Sequence, residues 1–206
     1  MNTSNNNPSL WLCLYFPHLP LQVFTRGLNP TDSHKPVVIL ERRRVIALNQ
    51  AAFETGIRHN NNMDTAYSIS HEVISFDKDS DKELTTLTNL AQWTYQFSPA
   101  VTIRTPDVLL IDIGGSLKLF NGLKALMASV ERGLKELGYT AILAINTTPM
   151  AALLSARSNA ENSAKTHAKT DAIKNADNNL KHRIPDIPDI PDTRRFCDHY
   201  PKYIPE

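Results

Sequence analysis

One residue in this sequence that could take part in chemistry is an aspartate near the end of an apolar run. Asp112 lies in the run 108–113, directly before Gly114 and Gly115. A carboxylate is a hard oxygen ligand that suits magnesium. An aspartate in this place also commonly accepts a hydrogen bond from the following turn, and we favour that interpretation. Asp112 is therefore a candidate metal ligand with a structural alternative.

Two other metal sites are rejected because of their residue spacing. Alternating acidic residues at 77–83 resemble the start of a calcium-binding loop. However, Lys82 stands where the sharp turn needs glycine, and Thr88 stands where the last ligand should be. The histidines and the cysteine after residue 160 lack the paired spacing of a zinc site. We therefore predict no metal site, and Asp112 is at most a vestigial ligand.

Four arginines form the candidate surface for nucleic acid: Arg42, Arg43, Arg44 and Arg58. Contacts from Arg and Lys to phosphate are the main source of affinity that is independent of nucleotide sequence. The alternative is a solvated hairpin tip without a ligand, and the sequence does not decide between the two.

Alternating strand and helix patterns surround these residues. Short apolar runs predict strands, and apolar residues three and four apart predict amphipathic helices. The predicted strands are 10–16, 36–40, 44–48, 100–104, 108–113 and 141–145, and the predicted helices are 19–24, 51–55, 63–68, 78–97, 123–137 and one starting at 150. This order indicates an α+β fold, with an antiparallel sheet and helices on one face.

Composition narrows the possible functions. The formal net charge is +1, from 22 basic and 21 acidic residues, whereas a dedicated duplex-binding domain is usually strongly basic. The two cysteines, Cys13 and Cys197, do not suggest a disulfide framework. No apolar run approaches the roughly 18 residues of a membrane span, and residues 1–8 lack the pattern of a signal peptide. We expect a cytoplasmic protein.

Stretches in a fixed order resemble the Y-family DNA polymerases of the UmuC/DinB superfamily. They are Leu12–Gln22, Arg44–Gly56, Trp93–Pro99, Leu109–Phe120 and Thr148–Arg157. Their amino-acid sequences are similar to those of the ImuB type, which is a polymerase-like accessory subunit of a bacterial mutagenesis complex. The resemblance implies a palm with a small inserted fingers subdomain, and it covers only that N-terminal portion of the family.

The same resemblance implies that the catalytic site is degenerate. The metal-binding carboxylates of active members match Cys13, Tyr15, Asp112 and Ile113, and the glutamate that ends the first motif matches Gln22. Asp112 alone keeps its acid among the core metal ligands. Cys13 and Ile113 should lie beside it, where the missing acids would be. A single carboxylate cannot hold the two magnesium ions that nucleotidyl transfer uses, and a thiol suits softer metals.

The positions that bind the nucleotide's triphosphate in the family are also altered. The tyrosine and arginine of the fingers match Gln50 and Phe53, and a supporting lysine matches Pro149. We therefore expect no bound cofactor, with magnesium only if residual polymerase activity exists.

The resemblance suggests a division of the chain into three parts. Residues 9–36 and 98–157 would form the palm-like core, and residues 37–97 the fingers-like insertion with a connecting helix. Residues 158–206 have low complexity and include a repeated Ile-Pro-Asp, which predicts an extended, disordered tail. No thumb, little finger or clamp-binding segment is found in this tail.

The function implied is a non-catalytic accessory protein of translesion synthesis during the damage-induced SOS response. Its partners would be DNA, bound weakly and without sequence preference, an error-prone polymerase, a RecA-like accessory protein and the sliding clamp. Two alternatives stay open: a polymerase fragment with residual nucleotidyl transfer, and a truncated gene product without stable function.

Overall fold

The computed structural model describes residues 9–29 and 31–163. In chain order, the elements are β1 (Trp11–Tyr15), α1 (Leu19–Thr25), β2 (Val37–Glu41), β3 (Arg44–Leu48), α2 (Gln50–Glu54), α3 (Met63–Ile69), β4 (Ile74–Asp77), α4 (Ser80–Thr94), β5 (Val101–Arg104), β6 (Val108–Asp112), α5 (Leu123–Glu136), β7 (Ile142–Asn146) and α6 (149–163). None of the helices within the described ranges is long and apolar enough to cross a membrane.

Four strands form the main sheet, in the order β5-β6-β1-β7. All of its pairings are antiparallel, and β1 lies in the centre between β6 and β7. The buried runs Leu12–Leu14 and Val108–Ile111 explain this central position, because both faces of these strands are covered. The predicted antiparallel sheet of 10–16, 100–104, 108–113 and 141–145 is confirmed.

The larger core lies on one face of the main sheet. Leu87 of α4 and Leu126 of α5 pack there against strand residues such as Leu12, Leu109 and Ile111. These helices contribute the apolar stripes that the sequence showed, and their polar sides remain exposed. The predicted α+β class, with helices packed on one face of the sheet, is therefore confirmed.

A smaller cluster covers the opposite face. Cys13, Leu110 and Ala144 of the sheet pack against Ala152 and Ala156 of α6. Helix α6 begins at residue 149 and continues past Arg157 to residue 163. The predicted tail therefore starts too early at residue 158, because the helix extends beyond the change in composition, although its buried residues end at Ala156. The remainder of that tail, from residue 164, lies outside the described residues.

Three strands form a small sheet, in the order β3-β2-β4. The antiparallel pair β2–β3 was predicted, but β4 was not. Strand β4 has only four residues, Ile74–Asp77, and pairs in parallel with β2. The alternation of apolar and polar residues in β4 is too short to predict a strand on its own. Its partner strand, β2, lies more than thirty positions earlier in the chain. Both sheets belong to one compact unit.

Candidate nucleotide and DNA site

Asp112 is engaged with the turn that follows it. Its Oδ1 accepts a hydrogen bond from the backbone N–H of Gly114 at 3.0 Å, and its Oδ2 accepts one from Ser9 Oγ at 3.4 Å. Across the sheet, Asp112 pairs with Trp11. The half-buried carboxylate thus stabilises the end of β6, which is the contact that the turn interpretation predicts.

Cys13 occupies the same face of the sheet, two residue pairs further along. It pairs with Leu110 on β6 and with Ala144 on β7. Helix α6 covers it completely, so burial raises the pKa of the Cys13 thiol to about 12, although Arg157 opposes the rise. Without a metal ion, the thiol is therefore protonated at neutral pH, and it is fully buried.

Ile113 does not lie beside Asp112 and Cys13, which corrects our expectation for the missing acids. Its side chain is fully buried in the core formed with α4 and α5, on the other face of the main sheet. Successive residues of a strand point to opposite faces, so this side chain cannot approach the carboxylate of Asp112.

A second group of polar side chains lies at the far end of β6. Burial raises the pKa of Asp107, and Arg157 lowers it. Burial also raises the pKa of Tyr15, with a smaller contribution from the negative charge of Asp107. Tyr15 pairs with Val108, four residues before Asp112 on β6. Asp107 therefore lies within electrostatic reach of Tyr15 and Cys13, two of the matched metal positions, and at the opposite end of β6 from Asp112.

The donor set for a pair of magnesium ions is not assembled. Within the described ranges, no three His, Cys, Asp or Glu side chains are placed to hold one metal ion. Mg²⁺ needs near-octahedral oxygen ligands, and of the four matched metal positions only Asp112 supplies a carboxylate.

The remaining matched positions take part in local structure. Gln22 Nε2 donates a hydrogen bond to Thr140 Oγ1 at 2.5 Å, and Gln50 Nε2 donates one to Glu54 Oε1 at 2.9 Å. Phe53 lies under the guanidinium of Arg58, which is 4.1 Å from its ring centre. Pro149 is the first residue of α6, a position that proline favours because its missing N–H needs no partner there.

An open cavity of about 620 Å³ lies between α1 and the start of α2. Its polar lining includes His18, Gln22, Asn49, Gln50 and Thr140. The sequence interpretation did not single out His18, whose pKa is lowered by burial and by the nearby His59. It also missed Asn49, although an asparagine before a helix is a recognisable cap signal.

Asn49 holds two chain segments together. Its Oδ1 accepts hydrogen bonds from the N–H groups of Ala52 and Val37, both at 2.9 Å. Its Nδ2 donates to the carbonyl of Lys35 at 2.9 Å. One side chain therefore caps α2 and ties it to the start of β2, beside the cavity.

Arg42 and Arg43 form the two-residue turn between β2 and β3. Both have left-handed backbone conformations, with φ of 50° and 63°. Such turns normally use Asn and Gly, because other residues pay a steric cost there. The side chains are exposed, and Arg43 Nη2 lies 3.0 Å from Asp64 Oδ1. The hairpin thus presents two cations at a strained position.

Arg44 and Arg58 are bound more closely to the protein itself. Arg44 Nη1 donates to the carbonyl of Asn60 at 3.2 Å. Arg58 Nη1 donates to the carbonyls of Phe53 and Ile57 at 2.6 and 2.9 Å. The four predicted arginines lie in the same hairpin and neighbouring loop, but only Arg42 and Arg43 occupy its tip.

The sequence of this chain matches a known protein family. The sequence pattern of the IMS family, described as impB/mucB/samB, matches residues 14–157. The chain belongs to the impB/mucB/samB family. The match spans both sheets, and it includes Asp112 and the arginine hairpin. No curated protein sequence matches the chain significantly.

Solved structures show the same fold for this family member. A post-insertion binary complex of Dbh DNA polymerase has a TM-score of 0.60 at 16% identity, covering 72% of this chain and 45% of that one. A Dbh ternary complex has a TM-score of 0.58 with the same identity and coverage. DinB from Sulfolobus solfataricus has a TM-score of 0.55, again at 16% identity over 72% and 45%. The chain therefore spans less than half the length of these structures.

Proposed function

We propose that this chain is a non-catalytic, polymerase-like accessory protein of translesion DNA synthesis, of the ImuB type, acting in the cytoplasm during the SOS response. The observation that carries the proposal is the chemistry of the matched metal positions. By the resemblance, the carboxylates of active members match a buried thiol at Cys13, a phenol at Tyr15 and a core side chain at Ile113, none of which is an acid. The remaining acid, Asp112, is hydrogen-bonded to its own turn.

A polymerase fragment with residual activity is the alternative within the enzyme class. Primer extension with a high concentration of the full chain, in magnesium and in manganese, separates the two. We expect no incorporation, because two-metal transfer needs several converging carboxylates. Incorporation that disappears in the Asp112→Asn variant would overturn the non-catalytic proposal.

DNA contact is proposed for the hairpin tip formed by Arg42 and Arg43, with Arg44 and Arg58 behind it. A site that neutralises only a few phosphates gives weak binding, with a salt slope of roughly 0.9 per phosphate. We expect binding that is independent of sequence and is lost near physiological salt. Fluorescence anisotropy with single-stranded and primed DNA measures it.

Replacing Arg42, Arg43 and Arg44 together by Ala should remove most of this binding. A matched control removes three exposed basic residues of α5, through Lys124→Ala, Arg132→Ala and Lys135→Ala. If both triple variants lose affinity equally, the binding reflects overall charge and the hairpin is not the DNA surface.

The proposed protein partners follow from the ImuB type: an error-prone polymerase, a RecA-like accessory protein and the sliding clamp. Co-purification with each purified partner, with and without primed DNA, tests them one at a time. The remaining alternative is a truncated product without stable function. A cooperative urea transition of the full chain, combined with binding to any of these partners, would exclude it.

A further inference from the structure

Strand β7 forms one edge of the main sheet. It pairs with β1 on one side, and no strand of the described ranges lies on its other side. At both ends of β1 the backbone of the even-numbered residues bonds to the β6 side, so odd-numbered residues such as Cys13 bond to β7. Cys13 pairs with Ala144. The backbone N–H and C=O groups of Leu143 and Ile145, on either side of Ala144, therefore point away from the sheet.

The residues of β7 leave this edge unprotected. Exposed strand edges in natural proteins usually carry a charge, a proline or a bulge that prevents pairing with another chain. Strand β7, Ile142–Asn146, has none of these. The other edge strands each include a charged residue: Arg104 in β5, Arg44 in β3 and Asp77 in β4. Among the edge strands of the described chain, β7 is thus the one best suited to accept a further strand.

An apolar groove lies beside this edge, between the end of α5 and the start of β7. Its volume is about 490 Å³, and its apolar walls include Leu134, Tyr139 and Leu143. The side chains of Leu143 and Ile145 lie on this face of the sheet, where they pack against the larger core. A strand added to β7 places every second side chain on the same face, so these side chains cover the groove.

Two opposite charges line the same groove. Glu131 and Lys135 are exposed and lie one turn apart on α5. Neither forms an ion pair with another residue of the part that the structure describes. In a two-fold dimer a surface meets its own copy in reverse, so Glu131 of each copy approaches Lys135 of the other. The edge is therefore complementary to a second copy of itself in backbone groups, in apolar side chains and in charge.

We propose that β7 pairs antiparallel with β7 of a second copy of this chain, which joins their four-stranded sheets into one continuous sheet. Leu143 of each copy lies opposite Ile145 of the other, and each of these residue pairs exchanges both backbone hydrogen bonds. The Leu143 and Ile145 side chains close the groove, and the pairs of Glu131 with Lys135 flank it. The edge is only five residues long, so the dimer is weak, with a dissociation constant of about 10–100 µM.

Sedimentation velocity of the full chain at low ionic strength, over about 1–500 µM, measures the association. We expect a reversible change from monomer to dimer within this range. Amide hydrogen exchange then locates the interface. In the dimer, the outward amides of Leu143 and Ile145 should exchange at least about tenfold more slowly than in the monomer. The amide of Ile103, in the strand at the opposite edge of the sheet, should exchange at the same rate in both.

Charge reversals test the self-complementarity. Glu131→Lys or Lys135→Glu alone places like charges opposite each other, and each should raise the dimer dissociation constant at least about tenfold. The double variant restores opposite charges and should return the constant to within about threefold of the parent value. The matched controls are Arg132→Glu and Glu136→Lys, at exposed positions of α5 that do not line the groove. They change the net charge by the same amount and should leave the dimer unaffected.

The proposal is overturned by any of three results. A chain that stays monomeric up to about 500 µM does not pair with its own copy. A dimer that ignores the single reversals, or that the double variant does not restore, uses another surface. Slow exchange of the Leu143 and Ile145 amides already in the monomer means that the chain's own residues cover the edge.

Discussion

Replacing Arg42 by Asn and Arg43 by Gly is expected to stabilise the protein and to weaken its proposed DNA binding at the same time. Both arginines have positive φ in the β2–β3 turn. The left-handed conformation costs about 1–2 kcal/mol for each ordinary L-residue, and Asn keeps part of that cost, so the substitution relieves roughly 2–3 kcal/mol.

Two losses reduce this gain. Glycine lowers the free energy of unfolding by about 0.5–1 kcal/mol, because it makes the unfolded chain more flexible. The exposed pair between Arg43 and Asp64 contributes at most about 1 kcal/mol. A net stabilisation of about 1 kcal/mol remains, which corresponds to a rise in Tm of roughly 2–4 °C for a protein of this size.

Urea unfolding and thermal scans measure the stability, and fluorescence anisotropy over a range of salt concentrations measures DNA binding. If each arginine contacts one phosphate, the salt slope should fall by about 1.8. The control is the double variant Arg42→Lys and Arg43→Lys, which keeps both charges and the backbone cost. It should retain the salt slope and gain no stability.

Either of two results would refute this reasoning. An Asn-Gly variant that is no more stable than the parent would mean that the turn is not strained by its arginines. An unchanged salt slope in that variant would mean that the hairpin tip does not contact phosphate, whatever its effect on stability.

Three further predictions concern the rest of the fold. A Cβ added at Gly133 would overlap Trp93 Cζ2, so Gly133→Ala should destabilise the protein by about 1 kcal/mol in urea unfolding despite its better helix propensity; in a Trp93→Leu background the same change should become stabilising. The pKa of the Glu83 carboxyl is higher in the folded state than in the unfolded state. The folded protein therefore loses stability as the pH rises from the pKa of the unfolded state to that of the folded state. Glu83→Gln should therefore stabilise the protein at about pH 8 and change little at about pH 4, and equal gains at both would contradict this. Magnesium at millimolar concentration should cause no saturable amide shift at Asp112, since one carboxylate and the buried thiol of Cys13 form no magnesium site; a saturable shift there would reveal a missed ligand.

Most of the secondary structure could be predicted, because it depends on the local spacing of apolar residues. The central strands are short, nearly continuous apolar runs, and α5 shows its apolar stripe in the sequence alone. Helix α4 was predicted to begin at Lys78, but it begins at Ser80 because Asp79 caps it through the N–H of Lys82 at 2.9 Å. Strand β4 was missed because its pairing depends on a distant segment.

The candidate site was predictable in its residue types and less so in its geometry. The resemblance identified Asp112 as the one remaining acid among the matched metal positions. The placement of Ile113 beside it was wrong, although the alternation of side chains along a strand already implied opposite faces. The exposed arginine hairpin was also identified from sequence, but its left-handed turn was not.

By itself, the sequence determined the order of the elements, the α+β class and the chemistry available at each matched position, because these depend on residue type and on spacing of a few residues. Tertiary structure alone decided that Trp11 faces Asp112 across the sheet, that α6 buries Cys13 and that Glu83 Oε1 is buried without a hydrogen-bond partner among the described residues. These features arise where segments distant in the chain pack together. Register, burial and hydrogen-bond satisfaction are properties of those contacts, and no local pattern encodes them.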